Sequence, residues 1–250
     1  MKKFLGRLLA AGFVFSISAF GAVKSAPGTS VLGVNLGNTA EGGLSAPMQI
    51  VILLTLLTLL PAIVMSITPF LRISIVLHFL RQALGTQEMP GNQVLVGLAL
   101  FLTIFIMAPV GARINELAVA PVMAGEISVT EGIQRGAPPL REFMLKQTRE
   151  NDLKLFLEMS KAPKPKSKDD LSMTVVIPAY VISELKTGFQ MGFFLFVPFL
   201  LIDLVVSTTL LSMGMMQLPP AMISLPFKVL LFVMVDGWYL LTRALVMSFN

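Results

Sequence analysis

Residues 188–220 read GFQMGFFLFVPFLLIDLVVSTTLLSMGMMQLPP and carry the clearest structural signals in this chain. Before the turn, Asp203 is the one charged residue in an apolar run long enough to cross the ~30 Å hydrocarbon core of a bilayer as a helix. Pro219 and Pro220 then stop that helix, and a second apolar run follows over residues 221–249. The stretch therefore predicts a membrane-spanning helical hairpin.

The composition of the whole chain agrees with this prediction. Hydrophobic residues make up 55% of the 250 residues and charged residues 13%, and the mean hydropathy is +0.81. The charged share is about half that of an ordinary soluble domain. Two further uncharged runs, Leu44–Leu71 and Val94–Ala112, are also long enough to span. We predict an all-α integral membrane protein of helical hairpins that oligomerises to cover its apolar surface.

The N-terminal region has the pattern of a secretory signal. Lys2, Lys3 and Arg7 precede an uncharged run, and small residues follow it. We therefore expect residues 1–25 to be removed as a signal peptide, the alternative being an uncleaved first anchor. Residues 26–43, rich in Gly, Ser, Asn and Thr, are expected to form a flexible external linker.

The rest of the chain divides by composition into three regions. Residues 44–112 are predicted to form a first hairpin of two hydrophobic segments, with an amphipathic stretch, Arg72–Gln93, between them. Residues 113–187 are hydrophilic and are expected on the periplasmic side. Their Lys- and Pro-rich part, 161–170, suits a solvated linker better than a polybasic binding tract. Residues 188–250 form the second hairpin.

Several function classes are excluded by counts alone. The chain has no Cys and one His, so it offers no thiolate nucleophile and no multi-His zinc site. No phosphate-binding glycine loop and no nucleophile-elbow motif occur. The net charge of +5 is modest, and four of the 19 basic residues lie at the extreme N-terminus. We expect no enzyme activity, no cofactor or metal, and no nucleic-acid partner.

Three ionisable residues fall within the predicted second hairpin. An ionised group at bilayer depth costs about 2.5 to 10 kcal/mol or more unless it meets water or a partner. Asp203, Lys228 and Asp236 should therefore face an assembly or an aqueous path. A structural ion pair, within the chain or with another subunit, is favoured over a proton or ion relay, because a relay needs more titratable groups in series.

The turn of the second hairpin is rich in methionine. Met213, Met215 and Met216 surround Gly214, which permits a tight bend. Methionine is flexible and polarizable, so a ring of such loops could seal around irregular cargo and still yield to it. A Met-rich stretch that only fills a core is the alternative, and composition alone favours it.

Glycine spacing suggests one close helix contact. Gly188 and Gly192 form a G-x-x-x-G motif, which allows two helix backbones to approach.

The chain resembles a known family. Its ordered strings, which include Arg72, Arg81, Asn92 and Gln93, are similar to those of the FliP/SctR family of type III secretion export-gate proteins over roughly Met48 to Met247. The strings are Pro69–Arg72, Val76–Leu77, Phe79–Gly85, Pro90–Val94, Leu98–Thr103, Leu210–Met216, Leu218–Pro220, Leu225–Lys228 and Val235–Trp238. Gln217 departs from the family, in which many members carry a further Met.

The resemblance implies a specific assembly. Five copies would join several copies of FliQ and one of FliR, with FlhB and FlhA, in the flagellar basal body of the bacterial inner membrane. Hairpins would stack into a right-handed helical assembly raised toward the periplasm, and unfolded flagellar proteins would pass along its axis. The Met-rich loop would act as a gasket at the entrance. The position of Lys228 resembles an inter-subunit ion-pairing site.

The rival class is a stand-alone secondary transporter or ion channel that uses Asp203, Lys228 and Asp236 as a translocation path. Such a protein usually contains an internal repeat. A comparison of residues 48–112 with residues 188–247 finds no obvious inverted similarity.

Overall fold

The computed structural model describes residues 30–31, 34–35, 46–86, 89–160, 171–215 and 217–249. The predicted signal peptide, most of the 26–43 linker, residues 161–170 and Met216 lie outside these ranges. The chain divides into two compact units, Met1–Leu53 and Leu54–Asn250. In the first unit, strands β1 (Ser30–Val31) and β2 (Val34–Asn35) form a short antiparallel pair.

The all-helical membrane class is confirmed. Apart from β1 and β2, the regular elements in the described part of the chain are helical. They are α1 (Ala46–Ile67), α2 (Phe70–Leu84), α3 (Asn92–Ile114), a π-helical turn (Asn115–Val119), α4 (Ala120–Met123), α5 (Val129–Gln147), α6 (Glu150–Met159), α7 (Met173–Ser212), α8 (Pro220–Met234) and α9 (Gly237–Met247). Three helical stretches are long and apolar enough to span a membrane: Ile50–Ile67, Asn92–Met123 and Met173–Ser212. The bent pair of α8 and α9 would make a fourth.

The core of the second unit is built around α2. Ile73, Leu77 and Leu80 on this helix are buried, although the sequence alone shows only a short amphipathic stretch here. They pack with buried apolar residues of α3, α7, α8 and α9. The helix ends where Gly85 adopts a left-handed conformation (φ 74°) and its N–H donates to the carbonyl of Gln82.

Helix α7 runs unbroken across the division that the sequence places between residues 187 and 188. The change in composition there marks a change in what the helix surface contacts. Ser183 and Glu184 are polar yet fully buried, because they have partners on neighbouring helices. A shift from polar to apolar residues therefore does not end this helix.

The final apolar run is bent. Helices α8 and α9 meet at an angle of 64°. The break falls at Val235 and Asp236, and Asp236 has a left-handed backbone (φ 52°). The sequence predicts one continuous span here, and the conformation of a single residue divides it.

Much of the apolar surface is uncovered. No residue of the window Ile50–Ile67 in α1 is buried, although every side of that helix is apolar. Phe193, Phe194 and Leu204 on α7 are exposed as well. A helix that is apolar all round belongs in lipid or against other apolar helices.

Candidate functional site

A buried ion pair joins α2 to α7. The Arg72 Nε donates to Glu184 Oε2 at 2.9 Å, and the Arg72 Nη2 donates to the other carboxylate oxygen. Both side chains are almost completely buried. A two-point contact of this kind fixes the orientation of both planar groups. The sequence singles out Arg72 only as a family residue and leaves Glu184 in the hydrophilic region.

Residues that follow α9 complete the surroundings of this arginine. The Arg72 Nη1 donates to the carbonyl oxygen of Ser248 at 3.1 Å and to its Oγ at 3.0 Å. The guanidinium lies 3.9 Å from the ring centroid of Phe249. The Gln147 Nε2 donates to the Phe249 carbonyl oxygen at 3.0 Å. One buried cation therefore ties together α2, α5, α7 and the C-terminal residues.

A second ion pair joins α7 to α8. The Lys228 Nζ donates to Asp203 Oδ2 at 2.6 Å, and the Ser224 Oγ donates to Asp203 Oδ1, also at 2.6 Å. Lys228 is buried, while the Asp203 side chain is 34% exposed. A Cβ placed on Gly85 would lie 3.8 Å from the Lys228 Nζ, so the ammonium lies near the C-terminus of α2. The negative end of that helix dipole favours a cation there.

Asp236, the third predicted ion-pairing residue, lies elsewhere. It precedes α9 and its side chain is exposed. Within the described ranges it takes part in no ion pair. The structure therefore brings Lys228 and Asp203 together and leaves Asp236 out of that cluster.

The methionine loop begins at the C-terminus of α7. The Gly214 N–H donates to the Leu211 carbonyl and the Met215 N–H donates to the Leu210 carbonyl, while Gly214 has φ +75°. This is a Schellman motif with glycine at the position that requires a left-handed backbone. It leaves the Met213 and Met215 side chains 67% and 41% exposed.

The glycines of the G-x-x-x-G motif face α2 of the same chain. A Cβ on Gly188 would lie 3.3 Å from Ile75, and a Cβ on Gly192 would lie 2.5 Å from the ring of Phe79. The absence of side chains at these two positions therefore lets α2 pack directly against α7.

The remaining family residues lie on the outside of this unit. The Arg81 Nη2 lies 3.3 Å from His78 Nδ1, and the Gln82 Nε2 lies 3.1 Å from His78 Nε2. Asn92 and Gln93 are exposed in the first turn of α3. Asn92 and His78 also line a cavity of about 430 Å³ between α2, α3 and α7.

A polar cluster that the sequence does not single out joins α6 to α7. Asp152 is buried, accepts a hydrogen bond from Ser183 Oγ at 2.9 Å and forms an ion pair with Lys186. The Arg149 Nη2 donates to Thr187 at 3.1 Å. Burial would raise the pKa of Asp152, but the hydrogen bonds from Lys186 and Ser183, together with nearby positive charge, outweigh it, so the pKa is lowered. The acidic residues Glu150 and Asp152 in the first turn of α6 could have signalled a helix start, but not a buried carboxylate.

These features define a class: an all-α integral membrane protein whose buried charges are paired and whose outer surface is largely apolar. The sequence profile described as the FliP family matches residues 53–245. The chain belongs to the FliP family.

Curated relatives agree over most of the chain. It is 54% identical over 205 residues to the flagellar biosynthetic protein FliP of Bacillus subtilis, covering 82% of this chain and 93% of that protein. It is 54% identical over 202 residues to the protein of the same name from Pectobacterium carotovorum, covering 81% and 78%. It is 43% identical over 245 residues to the one from Aquifex aeolicus, covering 97% of each chain.

Family membership gives the chain a role in flagellar biosynthesis and in type III export. As a member with several apolar helices, it belongs to the inner membrane.

Proposed function

We propose that this chain is a pore-forming subunit of the flagellar type III export gate and that its Met-rich loop gates a central channel for unfolded flagellar proteins. The observation that carries the proposal is the Schellman motif at the end of α7. It fixes the backbone of the loop while Met213 and Met215 stay exposed. Flexible apolar side chains on a fixed backbone are suited to close around cargo of varied shape.

Self-assembly follows from the surface of the chain. Helix α1 buries none of its apolar window, and one face of α7 is also uncovered. Neighbouring copies would cover these surfaces and place the methionine loops around one axis. Five copies, with FliQ and FliR, would form the channel, and FlhB and FlhA would join it in the basal body. Residues 113–187 would face the periplasm after removal of residues 1–25.

The ion pairs Arg72–Glu184 and Lys228–Asp203 act as structural contacts. Lys228 on α8 forms an ion pair with Asp203 on α7, and Ser224 donates a hydrogen bond to the other oxygen of the Asp203 carboxylate. An inter-subunit contact at Lys228 would have to share Asp203, whose partial exposure leaves room for a neighbour. A stand-alone transporter would need Asp203, Lys228 and Asp236 along one path, and only the first two are in contact.

The gasket is tested by replacing Met213, Met215 and Met216 with Ala in the overproduced complex. The expected result is leakage of small ions across the inner membrane, measured as conductance or dye entry, because the seal loses its flexible side chains. A control variant replaces the exposed methionines Met123 and Met159, which lie outside the loop. Unchanged conductance in the loop variant, with the complex intact, would contradict the gasket.

A further inference from the structure

Helix α9 presents two stripes of opposite character. Gly237, Leu241 and Leu245 are buried and follow the four-residue spacing of one helix face. The other stripe is exposed and defines the outer face of α9. Its members are Tyr239, Leu240, Arg243 and Met247 on the helix, together with Asp236, which immediately precedes it.

Two opposite charges stand on this outer face. Asp236 and Arg243 are seven residues apart, which is two helical turns and a rise of about 10 Å. In the part of the chain that the structure describes, neither residue forms an ion pair. Both residues belong to the bent pair of α8 and α9 that would make a fourth membrane span, where an exposed charge without a partner is costly. A partner from outside the chain would therefore stabilise both residues.

The two residues do not pair with each other within one copy, because the described residues show no ion pair between them. A second copy, however, offers both complementary groups on the same kind of apolar face. We propose that the outer face of α9 is a contact surface between copies, in which Asp236 of one copy pairs with Arg243 of the next.

Charge complementarity favours a second copy over lipid. An anionic lipid headgroup would attract Arg243 but repel Asp236, whereas a second copy satisfies both groups. The apolar members Tyr239, Leu240 and Met247 would exclude water from the contact. Parallel α9 helices packed in register would place like charges together, so neighbouring copies must be displaced along the helix axis. The inference rests on the self-assembly proposed above and names the surface that performs it.

Charge reversal tests the pairing directly. Asp236→Arg or Arg243→Asp alone should strongly reduce the assembly recovered in mild detergent, because like charges then meet at every contact. The double variant Asp236→Arg/Arg243→Asp should restore it. Co-expression of the two single variants should restore part of it, since contacts between unlike chains then pair Arg with Asp, whereas contacts between like chains do not. Equal recovery from all variants would overturn the pairing.

Cross-linking provides a second measurement that does not depend on reversed charges. The chain contains no Cys, so an introduced cysteine carries the only thiol of its chain and any cross-link can be assigned to it. One tagged chain carries Asp236→Cys, a differently tagged chain carries Arg243→Cys, and membranes are treated with a short bis-methanethiosulfonate reagent. The expected product is a dimer with both tags, in greater yield than from either variant alone. The control pairs Asp236→Cys with Val233→Cys, an exposed position off the outer face of α9.

The outcomes separate this inference from the function it rests on. Intact assembly without the mixed cross-link, or a cross-link only to an unrelated protein, would overturn the Asp236–Arg243 contact and leave the pore proposal standing. A wild-type chain that never self-associates would overturn both. Loss in the single reversals, recovery in the double reversal and the mixed cross-link together support the contact.

Discussion

Arg72 and Glu184 lie 112 positions apart in the sequence, yet the arginine donates two hydrogen bonds to one carboxylate in the interior of the helical unit. The pair fixes α2 against α7. Ser248 and Phe249 complete the site from the other end of the chain. The family profile ends at residue 245, so these two closing residues lie beyond the matched region.

Removing one member of this pair should destabilise the protein strongly. Arg72→Ala leaves a buried carboxylate without its partner, and we expect a loss of about 3–5 kcal/mol in the free energy of unfolding. Thermal unfolding in detergent measures the effect. The matched control is the exposed pair of Arg113 and Glu142, which are 56% and 68% exposed, so that Arg113→Ala should change stability by less than about 1 kcal/mol. Similar losses of unfolding free energy in both variants would show that burial of the Arg72–Glu184 pair does not increase its contribution to stability.

The contact of α2 with α7 should respond to glycine substitution in a defined order. Gly192→Ala forces the ring of Phe79 to move and should cost about 1–3 kcal/mol, whereas Gly188→Ala meets only a tight contact with Ile75 and should cost less. Gly97, in α3, has open space around it, so Gly97→Ala should be neutral or stabilising by about 0.5–1 kcal/mol. Denaturation in detergent gives the three values. A larger loss for Gly188→Ala than for Gly192→Ala would contradict this packing of α2 against α7.

Asp152 should make stability depend on pH in acid. Its pKa is lowered in the folded protein, so its contribution is fully present above the ordinary value of 3.8 and is lost as the pH falls through the folded value. Asp152→Asn should therefore be less stable than the wild type near neutral pH, and the difference should shrink with acidification. Unfolding midpoints of both proteins in detergent, from pH 7 to about pH 3, provide the test. A difference that stays constant across this range would exclude the proposed linkage.

The ion pair of Lys228 and Asp203 should be needed for assembly. Lys228→Ala leaves the Asp203 carboxylate in apolar surroundings, so less of the detergent-extracted complex should be recovered. The double variant Lys228→Ala/Asp203→Ala removes both charges and should recover part of the loss. Full recovery of the single variant with loss of export would indicate a transport role for these residues instead.

The sequence predicts the helical membrane class because uncharged runs of this length rarely form anything other than membrane-spanning helices. It also predicts a methionine turn after residue 212, since Gly214 and the two prolines carry strong local signals. It cannot predict that Glu184 is buried, because the partner is 112 positions away and only packing brings the two together. The sequence does not predict the break at Asp236 either. The break depends on the left-handed backbone of this one residue, and the apolar pattern continues on both sides of it.

Copies of this chain are proposed to cluster around an axis and to form a conduit. Native mass spectrometry of the complex, extracted in mild detergent after co-expression with FliQ and FliR, measures this clustering. The expected result is one particle that contains five copies of the mature chain together with both partners. A folded particle with a single copy, at every concentration and with the partners present, would rule the conduit out.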